Sequence, residues 1–315
     1  QAAPLIRIRD ASYNKVYGCF IGVSGTGANI SMTSSPNLQI DNLTAGGSTT
    51  NNTIGGETCR NVISGSSGPG ITINQSTGTV GTNFIYGNYI GLANDGITAV
   101  LNNGGGIVVN NGVIQTETIA ANVVLSDNAT FTNNGVNDAF ALNVTGNVTG
   151  GAAGTLTLNG TDTGNNTITG VIRDGTGALS VTKAQAGTWH LSGVNTYTGA
   201  TTINAGTLDL DTSLTASSGI NFTGAGTLTV ADNANITPAI TTTGNGQGTL
   251  TTEGTTTFSR AIGASTLLDL GTITANGAGE TVTFGGNVFA ETFAQGAANT
   301  LNIGANTVSY THLTL

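Results

Sequence analysis

Residues 187–210 read GTWHLSGVNTYTGATTINAGTLDL. One short pattern, Gly-Thr-apolar-polar-apolar, stands at each end of this stretch, first at Gly187 to Leu191 and again at Gly206 to Leu210. Successive side chains of a strand face opposite ways, so Leu208 and Leu210 share an inner face while Asp209 and Asp211 share the outer one. The same alternation sends Trp189 and Leu191 inward and His190 outward. The pattern occurs as GTLTLNG at Gly154, GTLTVAD at Gly226 and GTLTTEG at Gly248. From Gly206 onward the copies follow at about 20 residues, the length of one solenoid coil. Strand period and repeat period therefore agree on a stack of short parallel strands joined by tight turns, in which Gly supplies the positive φ angles.

A second rhythm runs upstream. YNKVYGCFIGVSGTGA, from Tyr13, returns as TNFIYGNYIGLANDGITA, from Thr82, with NNTIGGETCRNVISG at Asn51 to Gly65 between them. The separation of about 69 residues reads as three turns of about 23 each. Ile positions point inward, and Asn hydrogen-bonds the backbone of the adjoining turn, which makes Asn61 and Asn88 members of a stacked Asn ladder. Cys19 takes the Asn place in the first copy and is expected as a buried thiol. With Cys59 it makes two cysteines, too few for a disulfide scaffold and without zinc-like spacing; two buried thiols or one disulfide remain the readings.

The organisation read from these patterns is a parallel β-helix over 1–115 and a less regular junction, continuous with the solenoid, over 116–153. A second repeat type follows over 154–307, and the tail 308–315 departs from the texture. The expected fold is all-β, a right-handed parallel β-helix with coils of about 20–23 residues.

Composition excludes several classes. Of 315 residues 49 are Gly and 7% are charged, which leaves little material for the charged face of amphipathic helices. Hydrophobic residues make up 37% but aromatics 5%, so the core is built of small aliphatics in thin layers. The net charge is −9 with seven Lys and Arg, scattered so that no basic patch can be drawn; nucleic acid is not an expected partner. No run of about 20 apolar residues offers a direct membrane span. The opening QAAPLIRIRD lacks a signal-peptide pattern and reads as a cut end.

The stretch 187–210 closely resembles the passenger-associated transport repeat of bacterial autotransporters, in which a GTL-apolar-SG strand is followed by N-TYTG and TT-apolar-N-AGTL. It departs from that pattern at Trp189, where Leu is usual, and at His190, where a small polar residue is usual. Residues 226–303 resemble more loosely the passenger of rickettsial-type outer-membrane surface proteins. The upstream Asn-rich motifs look like a general bacterial parallel β-helix repeat of the pectin-lyase-like kind. The resemblance implies export through a C-terminal outer-membrane β-barrel, an extracellular or cell-surface location, and a stalk or adhesin with a host-surface or glycan ligand. The final VSYTHLTL resembles translated sequencing-adapter sequence and is set outside the fold, with His312 uninformative.

Because some parallel β-helices are polysaccharide lyases or hydrolases, a polysaccharide-active enzyme is the alternative. The NTD, DD, GHG and RIK strings of polygalacturonase-like hydrolases do not occur. His190 has no carboxylate beside it in sequence and reads as an exposed structural residue. Asp209 and Asp211, about 7 Å apart at strand spacing, read as a solvated outer face, with weak calcium binding as the alternative. The acidic segments around Asp95 and Asp138 read as turns. Gly104 to Gly106 lack the context of a phosphate loop. The Asn-x-Ser/Thr triplets at Asn128, Asn143 and Asn147 read as products of composition. Trp189 is expected in the core. No catalytic residue, cofactor or metal is expected.

Overall fold

The structure, a computed structural model, describes residues 4–22, 36–45, 47–56, 59–75, 79–81, 83–85, 88–90, 107–109, 117–120, 122–125, 128–135, 141–265, 268–277, 279–296, 299–304 and 306–314. Among them there is no helix, and the strands pair in parallel, each with the strand one coil away, as a β-solenoid. The chain divides into two compact units, Gln1–Leu179 and Ser180–Leu315.

In the first unit each coil contributes to two longer sheets. One runs through Ile6–Arg9, Leu38–Asn42, Ile71–Gln75, Ile107–Val109, Ala129–Asn133 and Gly154–Asn159. The other runs through Lys15–Val16, Thr53–Ile54, Phe84–Ile85, Glu117–Ile119, Leu142–Val144 and Asn166–Ile168. Short third strands, such as Phe20–Ile21 and Val62–Ile63, add a narrow face. The first coils are long: Lys15 pairs with Thr53, and Thr53 in turn with Phe84. The recurrence of the Tyr13 motif at Thr82 therefore spans two coils rather than three. Beyond the Glu117–Ile119 strand the coils shorten, with Glu117 opposite Leu142 and Asn143 opposite Thr167.

Asn side chains close the corners of the long coils. Asn83 Oδ1 accepts from Asn52 N at 3.1 Å and from Asn52 Nδ2 at 2.9 Å, and Asn52 Oδ1 accepts from Asn14 N at 2.8 Å. Each amide so replaces a backbone partner that a tight turn would otherwise supply, as buried N–H and C=O groups require.

In the second unit the coils are short and uniform. The strands Thr188–Leu191, Thr207–Leu210, Thr227–Val230, Gln247–Thr252, Leu270–Ala275, Val288–Gln295 and Val308–Thr314 stack in that order. Their register aligns Trp189, Leu208, Leu228, Leu250, Ile273 and Phe293 in one inward column, all buried. Each step of that column is one coil of about 20 residues, the length expected of a compact solenoid turn. A second inward column holds Leu191, Leu210, Val230, Thr252 and Ala275. Phe258 stacks on Phe284 at 5.6 Å between ring centroids, and Phe284 meets Phe293 edge-on at 6.0 Å. Gly206, at φ +69, has backbone oxygens of Gln185 and Gly187 2.3 Å from where a Cβ would sit, so the Ala-Gly-Thr-Leu corner admits only glycine.

Residues 308–314, set outside the fold in the sequence reading, form the strand that pairs with Val288–Gln295, and Tyr310 lies 6.3 Å from Phe293 by ring centroids. The parallel register continues along the whole strand, with Tyr310 opposite buried Ala290 and Leu313 opposite buried Phe293.

Candidate functional site

The outward column beside Trp189 consists of His190, Asp209, Thr229, Thr251 and Thr274. Parallel pairing puts His190 directly across from Asp209, about 4.8 Å away along the stack. Three donors meet there. His190 Nδ1 lies 3.1 Å from Asp209 Oδ2 and 3.8 Å from Asp211 Oδ1. One donor atom from each residue lies within 4.8 Å of the others. Ser192 donates its hydroxyl to Asp211 Oδ2, holding the outer carboxylate in place.

The group is half-sheltered. The side chains of His190, Asp209 and Asp211 are 22%, 13% and 39% exposed. Asp209 Oδ1 is shut off from solvent and accepts no hydrogen bond. The hydrogen bond to Asp209 holds the His190 imidazole above its usual pKa, against an opposing effect of burial. Burial, then the charges of Asp209 and Asp211, push the Glu253 carboxyl up. Negative potential is thus concentrated on one outer face.

In sequence, His190 lacks a neighbouring carboxylate, and Asp209 and Asp211 stand apart at strand spacing. Stacking corrects both expectations: the carboxylate comes from the next coil, and both aspartates lean toward the imidazole between them. The signal lies in the step between the two Gly-Thr motifs, which superposes His190 on Asp209.

The other singled-out residues have structural surroundings. Asn61, fully buried, accepts from Cys19 N at 3.0 Å, and its Nδ2 donates to Val16 O at 2.8 Å and Asn88 Oδ1 at 2.9 Å. Asn88 Nδ2 donates to Ile54 O at 2.8 Å. A parallel ladder through Asn14, Asn52 and Asn83 is missing from the sequence reading, although each of its members precedes the same x-Ile or x-Val pair. The two sulfurs are not buried: Cys19 is half-buried and Cys59 exposed. Among the described residues, the Phe20–Ile21 strand after Cys19 pairs on one side only, with Val62–Ile63, and Cys59 lies in a corner turn. Both are thiols rather than partners in a disulfide. Asp95, Asp138 and Gly104 to Gly106 lie outside the described residues.

Around the outer group the repeat is occupied with its own packing. Trp189 is fully buried. The buried Tyr197 hydroxyl meets Thr201 Oγ1 at 2.8 Å, and Thr201 Oγ1 meets Ser217 Oγ at 3.1 Å. Ser217 in turn donates to Gly199 O at 2.9 Å. The Asn-x-Tyr-Thr-Gly and Thr-Thr segments thereby tie successive coils together at a corner. Lys183, enclosed in the same unit, donates Nζ to the carbonyls of Gln185 and Ala205. Burial lowers its pKa to about 8.

A polar column on a short-coil β-solenoid defines a repeat-built scaffold. The passenger-associated-transport-repeat family matches residues 181–210. The "Adhesin BmaC autotransporter" of Brucella suis biovar 1 (strain 1330) is 49% identical over 59 residues, 18% of this chain and 2% of that protein. The chain thus spans a small fraction of the curated relative that it matches. No solved structure matches the chain. Solenoid, repeat and relative together support an autotransporter passenger with repeats, of the surface-exposed or secreted kind.

Proposed function

We propose that the segment is a non-catalytic stalk or adhesin, displayed at the cell surface by a C-terminal outer-membrane β-barrel that serves as its translocator. The observation carrying this reading is that the side chains of the matched stretch serve the fold. Trp189 fills the core, Tyr197 and Thr201 pair at a buried corner, and Gly206 makes a turn no other residue fits. In a solenoid each coil rests on its neighbours, so added coils extend reach, and the outward column offers a ligand an extended polar flank. A host-surface protein or glycan suits such a flank.

Deleting residues 207–226 tests the scaffold reading, because it removes one coil and brings Leu228 beside Trp189. The shortened protein is expected to fold cooperatively with parallel-β circular dichroism and a smaller radius of gyration. Collapse to an unfolded chain would refute modular stacking. Release of reducing ends from a glycan panel by the purified protein would favour the polysaccharide-active alternative.

A further inference from the structure

We propose that His190 Nδ1, Asp209 and Asp211 form a binding site for a divalent cation of the zinc class, which clamps two successive coils of the solenoid. The inference does not depend on the stalk or adhesin reading.

The geometry comes first. Zinc bound at about 2.0–2.1 Å to nitrogen and oxygen in a tetrahedral shell sets its ligands about 3.4 Å apart. The distances from His190 Nδ1 to the two aspartates, 3.1 and 3.8 Å, bracket that edge. All three donors come together from backbones that the register already fixes: His190 from the Thr188–Leu191 strand, Asp209 from the Thr207–Leu210 strand, and Asp211 just after it. Three protein ligands leave one position open on the solvent side, as in metal sites that hold water or an incoming ligand.

The second observation is Asp209 Oδ1, buried and without a hydrogen bond. A carboxylate largely removed from water is stabilised by a cation, and buried charges are otherwise paired or metal-bound. Asp209 is 13% exposed, and His190 is the one basic side chain on the two strands paired with its own. Glu253, which senses the same group electrostatically, adds negative charge rather than relief. Ser192, donating to Asp211, supplies the outer-sphere hydrogen bond that orients a metal-binding carboxylate.

Donor chemistry selects the cation. One imidazole and two carboxylates suit zinc or a neighbouring first-row divalent ion, whereas calcium calls for six to eight oxygens and magnesium for a mostly hydrated octahedron. The coil above carries Thr229 opposite Asp209, so the site is confined to one step of the stack.

The test is zinc titration of the purified chain at pH 7.5, read by competition with a chromophoric chelator and by thermal melting. One equivalent is expected to bind and raise Tm. His190→Gln is expected to abolish both effects, as is Asp209→Thr, which installs the residue of the next coil and preserves the strand. Ser192→Ala is expected to weaken binding about tenfold. Cys19→Ser, Cys59→Ser and His312→Gln are expected to leave it unchanged. Circular dichroism without zinc shows whether each variant is folded. Undiminished binding in folded His190→Gln would overturn the proposal, as would loss of binding in the cysteine variants or no binding by the parent chain.

Discussion

The two units build parallel coils by different means. In the first, the early coils are long, with Lys15 opposite Thr53, and their corners are fixed by buried asparagines that satisfy backbone groups. In the second, each coil is about half that length, as the pairing of Trp189 with Leu208 shows, turns on glycine and stacks a continuous apolar column from Trp189 to Phe293. The difference shows how corner length selects chemistry. A wide corner leaves N–H and C=O groups beyond the reach of the sheet, so side-chain amides close them. A tight corner lets the sheet bonds continue almost without gap, and stability then rests on layer-by-layer apolar contact.

The largest break in this comparison is expected from Trp189→Ala. Trp189 begins the inward column and is fully buried, so its removal leaves a void that the Leu208 layer cannot fill. Loss of about 3–5 kcal/mol is expected in urea unfolding. A loss under about 1 kcal/mol would mean that the column collapses freely and that layer contact is not what holds the short coils.

Asn61→Ala tests the other half and is expected to cost about 2 kcal/mol, because it leaves Cys19 N without its acceptor and Val16 O with Gly55 N alone, rather than opening an apolar void. Cys19 N and Val16 O both lose their Asn61 partner. Asn61→Asp is expected to destabilise as well, since a carboxylate accepts from Cys19 N but cannot donate to Val16 O. Amide exchange at Cys19 distinguishes the two: protection is expected to fall sharply with alanine and to persist with aspartate. Equal protection in both would show that the amide's role is only to fill space.

These contrasts also explain what could be read from sequence. Gly206-Thr207-Leu208-Asp209-Leu210 exposes its strand because inside and outside alternate with period two, and its neighbours repeat at one coil length. The Asn coils expose their residues but not their length: the Tyr13 and Thr82 motifs stand two long coils apart, and the assumption of a shorter uniform coil divides their separation by three. The outer group is illegible one strand at a time, because His190 and Asp209 become neighbours only through hydrogen bonds between coils. The burial expected of Cys19 fails for a related reason. Sharing the Asn place puts it on the ladder, but among the described residues the strand that follows it has a neighbour on one side only.

The smallest expected effect concerns an imperfection in the short-coil column. Thr252 sits inward between Val230 and Ala275, is fully buried, and its Oγ1 has no hydrogen-bond partner. The hydroxyl therefore bears the cost of desolvation without return, and the coil before it already uses valine at the same level. Thr252→Val keeps the β-branched shape and removes the stranded oxygen, so a gain of about 1 kcal/mol is expected, measured as a raised urea midpoint with unchanged slope. The same exchange at Thr201 is expected to go the other way, because that hydroxyl bonds Tyr197 and Ser217. If Thr252→Val instead destabilises, the inner face of the second unit depends on hydroxyl bonding as the first depends on amides, and the contrast between the two coil types narrows to their length.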